Sequence, residues 1–288
     1  MNRRTFQNRP LSNEELNAIA PSAFAVQPWY AQSSRYAFVP TSQVIEGMRE
    51  AGFFPYSAQQ SLSRTSDKKF FTKHLIRFRP ENVTLAQVGD TAVEAVLVNS
   101  HDGTSQYEIS LGAFRLACLN GMMVAEGMAQ IFKVRHTGNI IADVIEATQN
   151  VIAAAPKVVE QISQWKTIDL LPVEARILAE EAHSLRFDEG ATAPAAEKLL
   201  QPRRSADNAT DLWTTFNRIQ ENTINGGLRT IVPGHIDENT GRYLATRRNR
   251  TRAVTGIAES TKLNRALWSL AEKMAELKTM QAEVNTLS

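Results

Sequence analysis

The sequence predicts an α+β fold, in which a small antiparallel sheet with a β-α-β-β-β core is followed by a mainly helical C-terminal half. Two patterns predict this. Short runs of alternating or continuously apolar residues, typical of strands, fall between residues 35 and 111. Further along the chain, apolar residues recur every three or four positions, as they do on helices. Hydrophobic residues form 43% of the 288 positions, so the chain can bury a sizeable core.

Three regions are predicted along the chain. Residues 1–34 form an irregular arm, because prolines interrupt it, apart from a short helix that begins at a capping box of Ser12 and Glu15. Residues 35–187 form an α+β core domain. Residues 203–288 form a helical C-terminal region with a basic loop, which follows a hinge rich in Ala, Gly and Pro.

Local patterns define the strands of the core domain. Residues 92–98 are almost continuously apolar, and after a turn residues 106–111 alternate polar and apolar side chains, so the two runs predict a hairpin. A helix is expected to start at Pro40 and to end at Gly52. The predicted strands are 35–39, 54–62, 73–79, 92–98 and 106–111.

Helical patterns dominate the rest of the chain. Asp211 is a good N-cap residue, and a proline such as Pro172 is tolerated in the first turn of a helix. The polar segment 229–256 is predicted as an irregular stretch between the last two helices. The predicted helical segments are 114–124, 140–165 with a break at Pro156, 172–187, 211–226 and a last helix that carries Leu263, Leu267, Leu270, Met274 and Leu277.

Composition excludes several classes of protein. The formal charge of +2 is too close to neutral to indicate a nucleic-acid partner by itself. Cys118 is the only cysteine, which excludes a secreted scaffold held by internal disulfides. No apolar run approaches the roughly 18 residues of a membrane span, and the basic start lacks the apolar stretch of a signal peptide. We therefore expect a cytoplasmic protein that makes no membrane contact.

An arginine cluster is the clearest charge feature of the sequence. Its members lie in one short window without an acidic side chain, and their mutual repulsion favours an extended, solvated loop that a polyanion could order. The planar guanidinium group is suited to phosphate because it binds two oxygens at once. A flexible surface loop without a partner explains the pattern equally well. The cluster consists of Arg242, Arg247, Arg248, Arg250 and Arg252.

The strand at 73–79 carries a second basic feature. Lys73, Arg77 and Arg79 alternate along it and therefore share one face. Phe70 and Phe71 precede the strand, and cations beside aromatic rings are what a single-strand groove uses, with the rings stacked on bases. The commoner alternative is that the phenylalanines enter the core while the cations are simply solvated.

The sequence gives little support to catalysis or metal binding. Ser100, His101 and Asp102 bring a nucleophile, an imidazole and a carboxylate together, but neighbours on a tight turn seldom point at one another. The other histidines stand far apart, and Cys118 between apolar neighbours is typical of a buried hydrophobe. The stretch 256–262 lacks the core of a phosphate loop. We expect no metal or cofactor, and a non-enzymatic protein is favoured.

Six stretches of the sequence form a recognisable pattern in this order: 72–74, 97–105, 114–121, 211–222, 252–254 and 262–268. Taken together, they resemble a family of unknown function, family nine-three-two, which is encoded on conjugative plasmids and in enterobacterial cryptic prophages. The resemblance spans nearly the whole chain. It implies a mobile genetic element as the habitat and assigns no activity. The predicted order of strands and helices is also similar to the core of single-strand annealing recombinases of the Red-beta and RecT class.

The leading hypothesis is therefore a non-enzymatic single-stranded nucleic-acid-binding protein of a mobile genetic element, with strand annealing as a candidate activity. The basic strand and Phe70 or Phe71 would line the groove, and the arginine cluster would bind phosphates. The alternative is a counter-defence or host-factor-binding protein that uses the apolar faces of the last two helices. A hydrolase or nuclease centred on His101 and Asp102 is a distant third. The partners considered are single-stranded DNA, a host or phage protein, and a second copy of the chain.

Overall fold

The computed structural model describes residues 9–30, 38–63, 67–81, 87–88, 91–115, 121–123, 131–134, 139–187, 193–232, 234–236, 239 and 242–287. The chain divides into two compact units. The first contains residues 1–161 and 255–261, and the second contains residues 162–254 and 262–288. None of the described helices is both long enough and apolar enough to cross a membrane.

The first unit begins with two helices. Helix α1 spans Asn13–Ile19, and the predicted capping box is confirmed: the amide of Glu15 donates to the Ser12 hydroxyl, and the amide of Ser12 donates to the Glu15 carboxylate. Two amide groups that lack helical partners are thereby satisfied. Helix α2 spans Thr41–Glu50 and ends before Gly52, whose φ of 84° lies in the region that favours glycine. The predicted helix is confirmed.

An antiparallel sheet forms the centre of the first unit. Its strands are β1 Phe53–Gln60, β2 His74–Pro80, β3 Gln87–Val88, β4 Thr91–Asn99, β5 Tyr107–Arg115, β6 Gly121–Met123 and β7 Phe132–Val134. The main path runs in the order β1-β2-β4-β5-β6, while β3 pairs with β4 and β7 pairs with β5. β4 is buried along its whole length, as its continuous apolar run predicts, and with β5 it forms the predicted hairpin.

Both faces of the central strands are covered. Helix α3, Ile140–Ala153, packs on β4 and β5 and also on α2. The two helices approach closely at Gly47, where an added Cβ would overlap the Cγ2 atom of Ile141. On the opposite face of the sheet, Val96, Phe114 and Ile257 belong to a buried apolar cluster. The α+β class predicted from the sequence is confirmed.

Two local predictions differ from the structure or lie outside it. The predicted strand at 35–39 falls mostly outside the described residues, and Phe38 and Val39 have no regular structure. The prediction of a helical stretch at 114–124 is wrong where the structure describes it, because β5 continues to Arg115 and residues 121–123 form β6. Residues 116–120 and 124 lie outside the described residues. A short apolar run gives no periodicity that separates a buried strand from a buried helix.

Helices build the second unit around an aromatic core. Trp165, Trp213, Phe216 and Trp268 lie within 4.8 to 6.2 Å of one another, measured between ring centroids. Asp211 caps α6 as predicted, since its carboxylate accepts from the amide of Thr214 at 2.8 Å. The remaining helices are α4 Ala155–Trp165, α5 Pro172–Ser184, α6 Leu212–Asn225 and α7 Ile257–Leu287.

The segment between the last two helices is not the irregular loop that its charges predict. It forms strands β8 Arg229–Val232, β9 His235–Ile236, β10 Tyr243–Leu244 and β11 Arg247–Arg250. β8 pairs with β11, and β9 pairs with β10, both antiparallel. The prediction of a solvated segment agrees with the exposure of every side chain in β11.

Candidate nucleic-acid interface

The four strands of the second unit belong to one hairpin. Arg247 pairs with Val232, and continuing this register by three residues on each strand leads to the pair of Leu244 with His235. The amide of Gly234 donates to the Thr246 hydroxyl at 3.1 Å, which links the strands between the two ladders. We call this hairpin, residues 229–236 and 243–250, the arginine ribbon.

Alternation along the arginine ribbon sorts its side chains onto two faces. On one face, Arg250 lies directly opposite Arg229, and Arg248 lies opposite Ile231. The other face carries Thr230, Arg247 and Asn249 and, further along in the same register, Ile236 and Tyr243. Cations therefore occupy both faces near the base of the ribbon, while an apolar pair lies near its far end.

The cations of the arginine ribbon are exposed and uncompensated by the described residues. Arg229, Arg247, Arg248 and Arg250 are all exposed. Within the part of the chain that the structure describes, none of these four guanidinium groups forms an ion pair with a carboxylate. Like charges directly opposite each other on a ribbon are destabilising, so the pairing of Arg229 with Arg250 costs the isolated protein stability. Arg242 and Arg252, which flank this region, are exposed as well.

The base of the arginine ribbon is fixed to the helical body. The amide of Thr251 donates to the carbonyl of Leu228 at 2.9 Å, and the Lys198 ammonium donates to the carbonyl of Arg229 at 2.6 Å. Gly226, at the end of α6, has a φ of 61° and lies so close to the backbone of Arg252 that an added Cβ would be 2.5 Å from its carbonyl oxygen. The backbone at this point therefore requires glycine.

A second cationic surface lies in the first unit, and we call it the lysine–aromatic patch; its members are Trp29, Tyr30, Lys68, Lys69, Phe70 and Lys73. The ammonium of Lys69 lies over the Phe70 ring at 5.8 Å, and that of Lys68 lies over the Trp29 ring at 5.3 Å. Tyr30 is 83% exposed and Phe70 is 51% exposed, whereas Trp29 is buried. Phe70, which the sequence suggested as a stacking residue, is therefore an exposed ring beside a cation.

The structure separates the two phenylalanines that the sequence proposed as stacking residues. Phe70 remains half-exposed, but Phe71 is partly buried and packs edge-on against Trp29, with ring centroids 5.4 Å apart. Lys73 lines a cleft of about 530 Å³ together with Lys68, Asp102 and Glu259. The two carboxylates weaken the attraction of this cleft for polyanions.

Arg77 and Arg79 do not reach the surface, contrary to their expected position on a groove. They do share one face of β2, as their alternation predicts, but that face is buried, and their side chains are only 8% and 6% exposed. Both Nε atoms donate to the carboxylate of Glu94 on β4 at 2.6 Å. The exposed basic face predicted for this strand is therefore wrong for its two arginines.

Aromatic rings complete the surroundings of the buried arginines. The guanidinium of Arg77 lies 3.3 Å from the centre of the Phe114 ring, and that of Arg79 lies 4.4 Å from the Tyr56 ring. Cation–π contacts of this kind strengthen when water is excluded. Together with Glu94, they explain how two guanidinium groups are accommodated inside the sheet, where their role is structural.

Two histidines that are distant in sequence meet in a buried polar network on the other face of the sheet. The Thr41 hydroxyl lies 3.0 Å from Nε2 of His74 and 3.1 Å from Nε2 of His101, and the Asn99 amide donates to it at 3.1 Å. Burial lowers the pKa of His74 to about 4, although the Thr72 carbonyl and the charge of Asp102 oppose this. The imidazole of His74 is therefore neutral at pH 7.

The turn that follows β4 has the features of a structural turn. The Asp102 carboxylate accepts from the amide of Thr104 at 3.1 Å and from its hydroxyl at 2.6 Å, while His101 is fully buried. Among the described residues, no group of three or more His, Cys, Asp or Glu side chains is arranged to hold a metal ion. Cys118 lies outside the described residues.

Comparison with known proteins shows the family. The model of a domain of unknown function, DUF932, matches residues 30–268. The chain belongs to this family. It is 37% identical over 268 residues to UPF0380 protein YafZ and, over the same length, to UPF0380 protein YfjQ, both from Escherichia coli strain K12, with 93% of each chain covered. No solved structure matches. The family that the sequence resembles is thus confirmed, and its description assigns no activity.

The hairpin itself is the feature that sequence reasoning missed. Two members of the arginine cluster pair with Arg229 and Ile231, and Ile236 and Tyr243 extend the ladder. The sequence pattern predicts an irregular segment there instead. A signal was present, since Arg229–Val232 and Tyr243–Leu244 are short runs that contain β-branched and aromatic residues. The density of charge obscured that signal.

Proposed function

We propose that this protein binds single-stranded nucleic acid as part of the DNA metabolism of a mobile genetic element, with strand annealing as a candidate activity. One observation carries the proposal. The arginine ribbon displays Arg229, Arg247, Arg248 and Arg250 to solvent, and no described carboxylate neutralises them. A nucleic-acid backbone supplies the anions that such a surface lacks.

The ribbon geometry favours a polyanion over an isolated anion. The arginines lie on both faces and both strands, so no single phosphate can contact all of them. Each phosphate that enters offsets part of the repulsion between opposed guanidinium groups, and each guanidinium offers two parallel hydrogen bonds to phosphate oxygens. A chain of phosphates is the ligand that satisfies the whole set.

The lysine–aromatic patch supports a single strand as the substrate. Its exposed rings, Tyr30 and Phe70, are available for stacking on unpaired bases, while Lys68, Lys69 and Lys73 can contact phosphates. In a duplex the faces of the bases are already stacked on one another. Arg77 and Arg79 take no part in this proposal, because Glu94 holds them in the interior.

Salt-dependent binding tests the proposal. The affinity of the full-length protein for a labelled oligo-dT should be measured by fluorescence anisotropy at two salt concentrations. If about five phosphates are contacted, the logarithm of the association constant should fall with a slope of about −3.5 against the logarithm of salt. The variant Arg247→Ala, Arg248→Ala, Arg250→Ala should bind more weakly at low salt, with a slope reduced by about 2.

A matched control variant tests whether the ribbon arginines act specifically or only through the net charge of the protein. Arg176→Ala, Lys262→Ala, Lys273→Ala removes the same number of exposed cations from helices α5 and α7 and should leave the slope unchanged. The absence of binding at low salt would eliminate the proposed function. An equal loss of oligo-dT affinity in both triple variants would show that the arginine ribbon is not the binding surface.

Helix α7 gives a specific reason to keep a protein-binding function as the second candidate. Leu277, Met280 and Val284 lie on one side of its last turns and are 60 to 65% exposed. Helix α6, in contrast, is almost entirely buried and offers no apolar face to a partner. Replacing these three residues by Ser should leave oligonucleotide affinity unchanged. If it removes the effect of the gene on its host while the wild-type protein fails to bind oligo-dT, the second candidate is favoured.

A further inference from the structure

The far end of the arginine ribbon carries an apolar pair that the fold does not cover. Ile236 and Tyr243 lie directly opposite each other in the ladder, and they are 65% and 69% exposed. We infer that this pair is a stacking platform for unpaired bases, which gives the ribbon its own preference for single strands. The inference rests on the proposed function and deepens it.

The platform and the phosphate-binding groups share a face. Tyr243 in β10 is separated by even numbers of residues from Arg247 and Asn249 in β11, and the two ladders share one register. The alternation of an extended chain therefore places the three side chains on the same side. Tyr243 is four residues from Arg247, which corresponds to about 13 Å along a strand. A nucleic-acid strand whose phosphates contact Arg247 therefore reaches the tyrosine ring within a few nucleotides.

The chemistry of the platform fits a base rather than a phosphate. A tyrosine ring stacks on any base because every base has a π-face, and the flat side chain of an exposed aromatic loses little freedom when it does so. Ile236 lies directly opposite Tyr243 in the ladder, on the same face, and adds apolar surface beside the ring. Asn249 offers both a donor and an acceptor on the same face.

A duplex fits this platform less well. The ring could reach base faces there only by separating two stacked base pairs, which costs energy. An unpaired base makes no such demand, and burial of its face against Tyr243 and Ile236 removes apolar surface from water. The platform therefore discriminates between strands by the availability of base faces, whereas the arginines respond to phosphate charge alone.

The experiment compares two ligands of equal charge. One is a labelled oligo-dT, and the other is an oligonucleotide of the same length in which abasic deoxyribose units replace most of the nucleosides. Anisotropy titrations give the ratio of the two affinities for the wild-type protein, for Tyr243→Ala and for Tyr243→Phe. Ile231→Ala is the matched control, since Ile231 is 61% exposed on the opposite face of the same ribbon.

The wild-type protein should bind oligo-dT more tightly than the abasic ligand. Tyr243→Ala should reduce that ratio on the order of tenfold per stacked base, while Tyr243→Phe and Ile231→Ala preserve it. The affinity of Tyr243→Ala for the abasic ligand should match that of the wild type. A duplex of the same sequence should bind the wild type more weakly than oligo-dT.

One other result would overturn the inference without touching the proposed function: a Tyr243→Ala ratio equal to that of the wild type, with the salt dependence of binding retained. Tighter binding of the duplex than of oligo-dT would overturn the inference and also the single-strand preference of the proposed function. The absence of binding to all three ligands at low salt would instead remove the proposed function, and the inference with it.

Discussion

Two pairs of arginines in this chain have the same spacing and opposite surroundings. Arg77 and Arg79 alternate on β2 in the first unit, and Arg248 and Arg250 alternate on β11 in the second. The first pair is buried and bound to Glu94, whereas the second pair is exposed and opposes further cations or apolar groups. The spacing of charges along a strand therefore does not determine whether they are buried within the fold or exposed to solvent.

The neighbouring strand makes the difference. Glu94 is the one charged residue of β4 and is fully buried, so it supplies the carboxylate that allows two guanidinium groups inside a sheet. β8, the partner of β11, supplies Arg229 and Ile231 instead. A charge without a partner is strongly disfavoured in the interior, and the second pair consequently remains in solvent.

The largest expected effect follows from removing the buried carboxylate. Glu94→Ala leaves two guanidinium groups uncompensated within the sheet and should lower the free energy of unfolding of the first unit by about 3 to 5 kcal/mol. Urea denaturation followed by circular dichroism measures this. Glu94→Gln, which keeps the shape of the side chain, should also destabilise, and the exposed Glu180→Ala should change little. A small effect of Glu94→Ala would mean that the two arginines can leave the interior.

The neutral His74 makes the stability of the first unit depend on pH. Its pKa is about 4 in the folded protein and near 6.5 when unfolded, so only the unfolded chain gains a proton between these values. The contribution of neutral His74 to the free energy of unfolding is fully present above pH 6.5. It should fall by about 3 kcal/mol as the pH drops toward 4. Urea unfolding at pH 7 and pH 4.5 tests this. His74→Asn should reduce the difference in unfolding free energy between pH 7 and pH 4.5. If that difference is unchanged in the variant, other groups cause the pH dependence.

A pair of adjacent glycines tests how firmly the ribbon is fixed. Gly226→Ala places a Cβ against the carbonyl of Arg252 in addition to straining a positive φ, whereas Gly227→Ala meets open space and has the φ strain alone. We expect Gly226→Ala to lower the unfolding free energy of the second unit by about 2 kcal/mol or more, and Gly227→Ala by about 1 kcal/mol. Equal losses in thermal denaturation would show that the close backbone approach is unimportant.

The smallest effect concerns the exposed arginines themselves. Arg250→Thr removes the like-charge pair with Arg229 and introduces a residue that favours strands, so the protein should become more stable by a few tenths of a kcal/mol while binding oligo-dT less tightly. The matched change Arg176→Thr, on a helix, should not stabilise. A loss of stability in Arg250→Thr would indicate that the arginine makes a favourable contact within the protein.

The same contrast explains what the sequence could predict. Helix α2, the hairpin of β4 and β5, and the cap of α6 follow from local signals that the folded structure reinforces. The burial of Arg77 depended on a partner 17 residues away, which no local pattern identifies. The hairpin at β8 and β11 was obscured because repulsion among arginines predicts a loop, while pairing with a distant run of β-forming residues decides the structure.

The hydroxyl of Thr41 has a consequence for the protons of the buried network. It can donate one hydrogen and accept two, yet it lies within 3.1 Å of four polar atoms: Nε2 of His74, Nε2 of His101, the Asn99 amide nitrogen and the Tyr107 hydroxyl. The hydroxyl cannot bond to all four at once, and the Asn99 amide occupies one of its acceptor positions. The position of this single hydrogen is therefore coupled to the tautomers of both imidazoles, and Thr41→Val should change the nitrogen chemical shifts of both rings together.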